Sequence, residues 1–164
     1  MRYNNFEIKK SNLHSVFDLL YKQYTAERLK YEKTHLSVSE HLSENIIYNL
    51  LIDTILELNL SNTDVICHYP ISLLLNNWEI LNDTERTFAQ SSFSHVDFLI
   101  YNSLTKLPVK TIEVDGWNYH KSKDVQISRD KIKDQILNKL GIKSCRILTT
   151  DIVNADTIRQ LLIS

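Results

Sequence analysis

A chain of 164 residues with 43% hydrophobic residues, only two glycines and only two prolines can build one well-cored domain and has little room for flexible linkers or low-complexity stretches. No apolar run approaches the length of a membrane span, and the opening MRYNNFEIKK is not followed by the apolar core of a secretory signal, so the expected setting is cytoplasmic with no membrane partner. The net charge of −1 does not advertise nucleic-acid binding, but residues 101–146 carry ten Lys or Arg and five Asp or Glu, a local +5 against −6 elsewhere, which is either a phosphate-binding region or an ordinary solvated helix face.

Residues 11–33 read as a helix, with Leu13, Val16, Phe17, Leu20, Tyr24 and Leu29 forming an apolar stripe and Ser11 available as N-cap. Within a helical extension over residues 1–38, this element is suited to packing or to docking a partner protein. A second helix is expected from about residue 39 or 43 to residue 58, with Ile46, Ile47, Leu50, Leu51, Thr54, Ile55 and Leu58 on a broad apolar face. Ser43 can cap it, and Glu44 then falls in its first turn, where a carboxylate suits the helix dipole. Residues 64–72 are β-prone until Pro70, which marks an edge strand ending there. Residues 73–94 predict a short helix or turn followed by a polar loop from Asn82 to Ser94. Cys67 and Cys145 each stand alone in apolar strand-like segments and read as buried free thiols.

The segments 95–101 and 109–115 are the most informative. The strand period of two puts Val96, Phe98, Ile100, Ile112 and Val114 on one face and His95, Asp97, Thr111, Glu113 and Asp115 on the other. With a connecting loop centred on Thr105, Asp97 lies opposite Glu113 and His95 opposite Asp115, with Cβ atoms about 5 Å apart. Facing carboxylates repel. A raised pKa can relieve them by retaining a proton, while a divalent cation with hard oxygen ligands relieves them and leaves both acids ionised, so a Mg²⁺-type site (or Mn²⁺) is expected. The competing reading ties the acids up in salt bridges to Lys110, Lys121 or Arg146, or separates them by a register slip.

Beyond the hairpin, residues 116–124 form a polar connection that includes Trp117, Asn118, Tyr119, His120, Lys121 and Lys123. A long helix follows over about residues 125–140, buried through Ile132, Ile136, Leu137 and Leu140 and stopped by Gly141. A short strand over residues 144–149 and a last helix over residues 156–163 complete the chain. The fold class is α/β: a mixed sheet, an antiparallel hairpin plus a parallel crossover strand, flanked by helices, with the extra helix at the N-terminus.

In this order the segments HVDFLI, IEVDG, Gln126-x3-Asp130-x2-Lys133 and GIKSCRIL resemble the PD-(D/E)XK, or restriction-endonuclease-like, superfamily. They are most similar to small bacterial domains of unknown function related to very-short-patch-repair endonucleases. The resemblance spans about residues 42–162 and implies a single nuclease-like domain over residues 39–164. It makes Asp97 and Glu113 metal ligands, with the Val114 carbonyl a third. Asp115 stands where the superfamily's lysine would be, which leaves that lysine to Lys131 or Lys133 on the following helix. These two are about 200° apart, so one can face the site, and Lys133 shares a face with Gln126 and Asp130. Glu44 would orient a metal-bound water or complete a second metal site, unless it serves only its helix end. His120 would donate a proton, contact phosphate or be a hydrogen-bonded loop residue. Nucleic-acid contacts would fall to Trp117, Tyr119, Lys121, Lys123, Gln126, Arg129 and Lys131, with the aromatics equally suited to packing. The activity the resemblance implies is metal-dependent hydrolysis of phosphodiesters, with DNA as the expected polymer, in repair, restriction or mobile-element defence; a catalytically inactive module binding nucleic acid or a partner protein, and a hydrolase of small phosphate esters, are the other readings.

Overall fold

The computed structural model describes residues 19–20, 22–24, 26–28, 30–31, 37–115, 123–148 and 154–163, with residues 123–126 described for their backbone alone. Four strands, β1 (Thr63–Pro70), β2 (His95–Asn102), β3 (Pro108–Asp115) and β4 (Lys143–Leu148), lie side by side in that order. The first three run antiparallel, and β4 pairs with β3 in parallel. The helices are α1 (Leu42–Glu57), α2 (Asp83–Gln90), α3 (Lys123–Lys139) and α4 (Ala155–Ile163), with 3₁₀ turns at Ile71–Leu74 and Trp78–Ile80. The expected mixed sheet flanked by helices is therefore present, with β1 at an edge.

Each sheet face buries its own core. On one, α1 and α4 cover Val65, Phe98, Ile100, Ile112 and Ile147 through Ile47, Leu51, Ile55 and Ile158. On the other, α2, α3 and the 3₁₀ turns enclose Leu99 and Tyr101 with Ile71, Leu81, Ala89, Ile136 and Leu137. Burying a side chain such as Phe98 or Ile136 contributes about 1.5–3 kcal/mol, so these two layers supply the main driving force for folding.

Helix ends follow local chemistry. Gly141 has φ 69°, and with Ile142 N–H bonded to Leu137 O and Gly141 N–H to Asn138 O it closes α3 in a Schellman motif, as its position predicts. Asn59, φ 53°, ends α1 in the same way through Leu60 to Ile55 and Asn59 to Leu56. At the start of α1, Ser43 is not the cap: His41 holds that position without a side-chain bond. Asn45 instead accepts from the Val38 and Ser39 amides and donates to the Ser39 and His41 carbonyls. Ile46, expected on the buried face, is half exposed. In the N-terminal helical segment Leu20 and Tyr24 are also exposed, and Arg28 pairs with buried Asp64 of the domain. Asp64 accepts a 2.7 Å bond from the Tyr101 hydroxyl, whose pKa is pushed up to about 12 by burial and by that carboxylate. Leu13, Val16, Phe17, Leu29 and the Ser11 cap lie outside the described residues. Neither cysteine is in a disulfide, and both are half-buried where full burial was expected.

The expected polar loop from Asn82 to Ser94 is mostly helix α2. Its nucleus is a capping box: Asn82 accepts from the Glu85 amide at 2.9 Å while Glu85 accepts from the Asn82 amide at 2.8 Å. Glu85 is 2% exposed and takes a 2.6 Å bond from Lys139 of α3, which holds its carboxyl below the ordinary 4.5 against the effect of burial. The pair fastens α2 onto α3. Asn82→Ala should cost about 1 kcal/mol in urea denaturation. Because the Glu85 pKa is depressed, its contribution is complete above pH 4.5 and disappears as pH falls through the lowered value, so Glu85→Gln should weaken acid sensitivity in that range.

Candidate functional site

The turn after β2 is wound tightly by Asn102, whose side chain accepts from the Leu104 and Thr105 amides and whose carbonyl accepts from Lys106. It sets Phe98 across from Ile112 and Leu99 across from Thr111, the register of a turn centred on Thr105, with a shift only between Ile100 and Tyr101. Continued by one residue, that register brings Asp97 beside Glu113. The Val114 amide donates to Asp97 Oδ2 at 2.7 Å, locking the two strand ends together.

Strict alternation fails here, and the failure shapes the site. Val96 does not join Phe98 and Ile100 as expected; it packs with Leu99 in the opposite core. On β1, Ile66 and Tyr69 likewise share that side, separated by His68 with a left-handed φ of 51°. The β1–β2 pairing passes over His68 and Asp97 while keeping register on both sides, Cys67 with Phe98 and Tyr69 with Val96. Both strands therefore change face at one point, and Asp97 becomes reachable from helices on either side of the sheet.

From the α3 side comes Lys133, half-buried, with Nζ 2.5 Å from Glu113 Oε2. From the α1 side comes buried Glu44, whose Oε2 lies 3.1 Å from His68 Nε2; the His68 ring meets His95 edge-on at 5.0 Å. Glu113 is 4% exposed, and burial pushes its carboxyl up to about 7, with Lys133 opposing the rise and Asp97 adding to it. The Asp97 carboxyl is raised by burial and by Glu44, and restrained by the Val114 amide and Lys133. Burial and nearby His68 lower the His95 pKa. The raised carboxyl pKa expected from facing acids is present, but its first cause is removal from water and mutual repulsion is secondary.

Glu113 Oε1 is buried and takes no hydrogen bond among the described residues, and Glu44 Oε2, equally buried, has His68 Nε2 within ion-pair distance but not in hydrogen-bond geometry. Such oxygens, beside Asp97, are the hard donors that suit Mg²⁺ or Mn²⁺. As placed, however, no three His, Cys, Asp or Glu side chains among the described residues form a group able to hold a metal ion. The cation at Glu113 is the Lys133 ammonium.

Asp115 is set apart from this pair by Arg146, whose Nη1 lies 3.4 Å from Asp115 Oδ1 while Nη2 binds Asp134 at 3.0 Å. The salt-bridged reading thus describes part of the acid group, with Lys133 and Arg146 as the cations. Lys110 is turned away, bonded to the Leu161 carbonyl at 2.6 Å. Of the candidate lysines, Lys133 reaches Glu113 and Lys131 is exposed. Part of the basic excess is committed within the molecule, since Lys110 and Lys139 serve partners outside residues 101–146, while Lys133 and Arg146 pair with acids of the same stretch. Trp117, Tyr119, His120 and Lys121 lie outside the described residues, as do the side chains of Lys123 and Gln126.

A cleft of about 210 Å³ opens over Asp97, His95 and Lys133 and is walled by Phe88, Phe93, Ser94, Arg129 and Asp130. Sequence reading missed His68, Phe88 and Phe93. His68 gave no signal, being one histidine in a β-prone run, whereas Asn82-x-x-Glu85 did announce the helix that carries Phe88.

The architecture and site define an α/β domain with a mixed four-stranded sheet and a buried acid–lysine cluster at one sheet end. The chain belongs to the family described as "Protein of unknown function (DUF2726)", whose model matches residues 41–164. No curated protein and no solved structure matches it. Among the described residues no helix is long and apolar enough to cross a membrane.

With the Glu113 carboxyl raised from 4.5 to about 7, the folded state prefers its protonated form: the stability this provides is complete below pH 4.5 and lost as pH rises through 7. Glu113→Gln should flatten that part of the pH dependence in thermal unfolding. Lys133→Met removes the charge that opposes the rise, so carboxyl NMR titration should find Glu113 above its present value.

Proposed function

We propose that this protein is a metal-dependent nuclease of the PD-(D/E)XK type, acting on DNA in the cytoplasm. The observation that carries this reading is the meeting of Asp97, Glu113 and Lys133 at one end of the sheet, an acid pair and a lysine supplied by β2, β3 and α3. The buried Glu113 Oε1, which takes no hydrogen bond among the described residues, adds donor capacity.

Asp97 and Glu113 would hold Mg²⁺ or Mn²⁺, with the Val114 carbonyl and Glu44 completing the donor set. The ion, when bound, supplies charge neutralisation at the phosphate and acidifies water. Lys133, freed from Glu113, takes the part of the lysine that Asp115 replaces: it orients the attacking water and offsets the charge that builds on the phosphate. Glu44 positions water from the α1 side, and His68 fixes Glu44. Arg146 keeps Asp115 occupied, so the substitution at that position does not add a further unpaired negative charge.

A second reading, a nuclease-fold module that binds nucleic acid or a partner protein without cleaving, is favoured by the Lys133 ammonium, which already occupies Glu113 Oε2. Incubation of the purified protein with plasmid, single-stranded DNA and RNA, with and without Mg²⁺ or Mn²⁺, separates the two. Cleavage should require the metal and vanish in Asp97→Ala and Glu113→Ala. Lys133→Ala should slow turnover by roughly 10²-fold or more with little change in binding, whereas Lys131→Ala should weaken binding and reduce its salt slope by about 1. Metal-independent inertness toward all three polymers, with binding retained, would leave the non-cleaving module.

A further inference from the structure

The cleft over Asp97 has a feature that phosphodiester chemistry alone does not require. Phe93, in the connection between α2 and β2, is 77% exposed, although burying such a ring would be worth about 1.5–3 kcal/mol. Its backbone is held. The Ser94 hydroxyl donates to the Phe88 carbonyl at 2.6 Å, the Ser94 amide to the Ser91 carbonyl at 3.0 Å, and the Ser94 carbonyl accepts from the Ile71 amide at 3.0 Å. The ring is thus presented on a hydrogen-bonded turn beside the cleft.

Phe88 lies on the same cleft, and the Arg129 guanidinium sits 5.9 Å from its ring centre. Arg129 is exposed and carries a positive charge beside the Phe88 ring, on the cleft that Phe93 also lines. An aromatic surface with an adjoining guanidinium is the combination that holds unpaired nucleotides: the ring stacks on a base, and the cation meets the phosphate that joins it to its neighbour. Bases in an intact duplex are already stacked on one another and offer no free face to such a ring.

We propose that the cleft takes single-stranded DNA, with an unpaired base stacked on Phe93 and the adjoining phosphate held by Arg129. The proposal deepens the nuclease reading and rests on it for the choice of polymer. It places an unstacked nucleotide at the entrance to the Asp97 carboxylate, so the preferred substrate is a single strand, a frayed end or a flap, and intact duplex is a poor one.

The test uses the full chain without divalent cation and labelled oligonucleotides of about 16 nucleotides, as single-stranded DNA, duplex DNA and single-stranded RNA. Phe93→Ala should weaken binding of single-stranded DNA by roughly 5-fold or more and leave the weaker duplex binding unchanged. Phe93→Trp should restore affinity, and its added emission should be quenched as single-stranded DNA binds, which a merely structural role would not produce. Equal affinities for Phe93→Ala and the parent chain, equal losses on single strand and duplex, or tighter Phe93-dependent binding of RNA would each overturn the proposal. Metal-dependent cleavage that persists while Phe93→Ala binds normally removes this inference alone. Phe93-dependent binding of single-stranded DNA by a protein that cleaves nothing supports it and removes the nuclease reading instead.

Discussion

Pairing of β2 with β3 sets Phe98 across from Ile112, and the same register brings Asp97 to Glu113 at the strand ends. A slip of one residue would carry the apolar set of one strand to the wrong core, so burial of Phe98, Ile100 and Ile112 enforces the placement of the acids. Hydrophobic packing thereby fixes a polar arrangement that would not hold itself together. The tightly bonded Asn102 turn and the Val114 amide on Asp97 secure the two ends of the hairpin.

The acidic end stores an electrostatic conflict that only part of the molecule resolves. Glu113 is desolvated and receives one ammonium, while its second oxygen takes no bond among the described residues. Removing one partner from a buried charged pair is usually more costly than never having built it. A chain selected for stability alone would fill this space with apolar side chains, as it does at Ile112 one residue earlier. The combination of a buried, half-satisfied carboxylate and an adjacent cleft is where function is to be sought.

Most of the sheet was legible from residues 95–115, because alternation, turn residues and the flanking helix periodicity agree with one another. The end of α3 was legible from Gly141 and the reach of Lys133 from its spacing. What escaped has physical causes. Helix α2 is short and has a polar exterior, so its apolar signal is weak and only the Asn82–Glu85 box marks it. The change of face at His68 and Asp97 is a backbone event, driven by a left-handed residue that no side-chain pattern announces. Burial of the α1 face was overread at Ile46, which keeps the right spacing but is half exposed. Charge counting overread as well, since it cannot distinguish a lysine open to a ligand from Lys139 or Lys110, which are bonded to Glu85 and to the Leu161 carbonyl.

Lys110 gives β3 a second attachment of a different kind. It is 4% exposed, burial lowers its pKa, and its ammonium donates to the Leu161 carbonyl at 2.6 Å and to the Leu162 carbonyl at 3.4 Å. These are last-turn carbonyls of α4, which the helix itself leaves without partners and which carry the negative end of its dipole. The strand that bears Glu113 is therefore tethered to the last turn of α4 by a buried cation. A truncation that deletes that turn would leave the buried Lys110 ammonium without those carbonyls, so the strand that carries Glu113 depends on the last turn of α4.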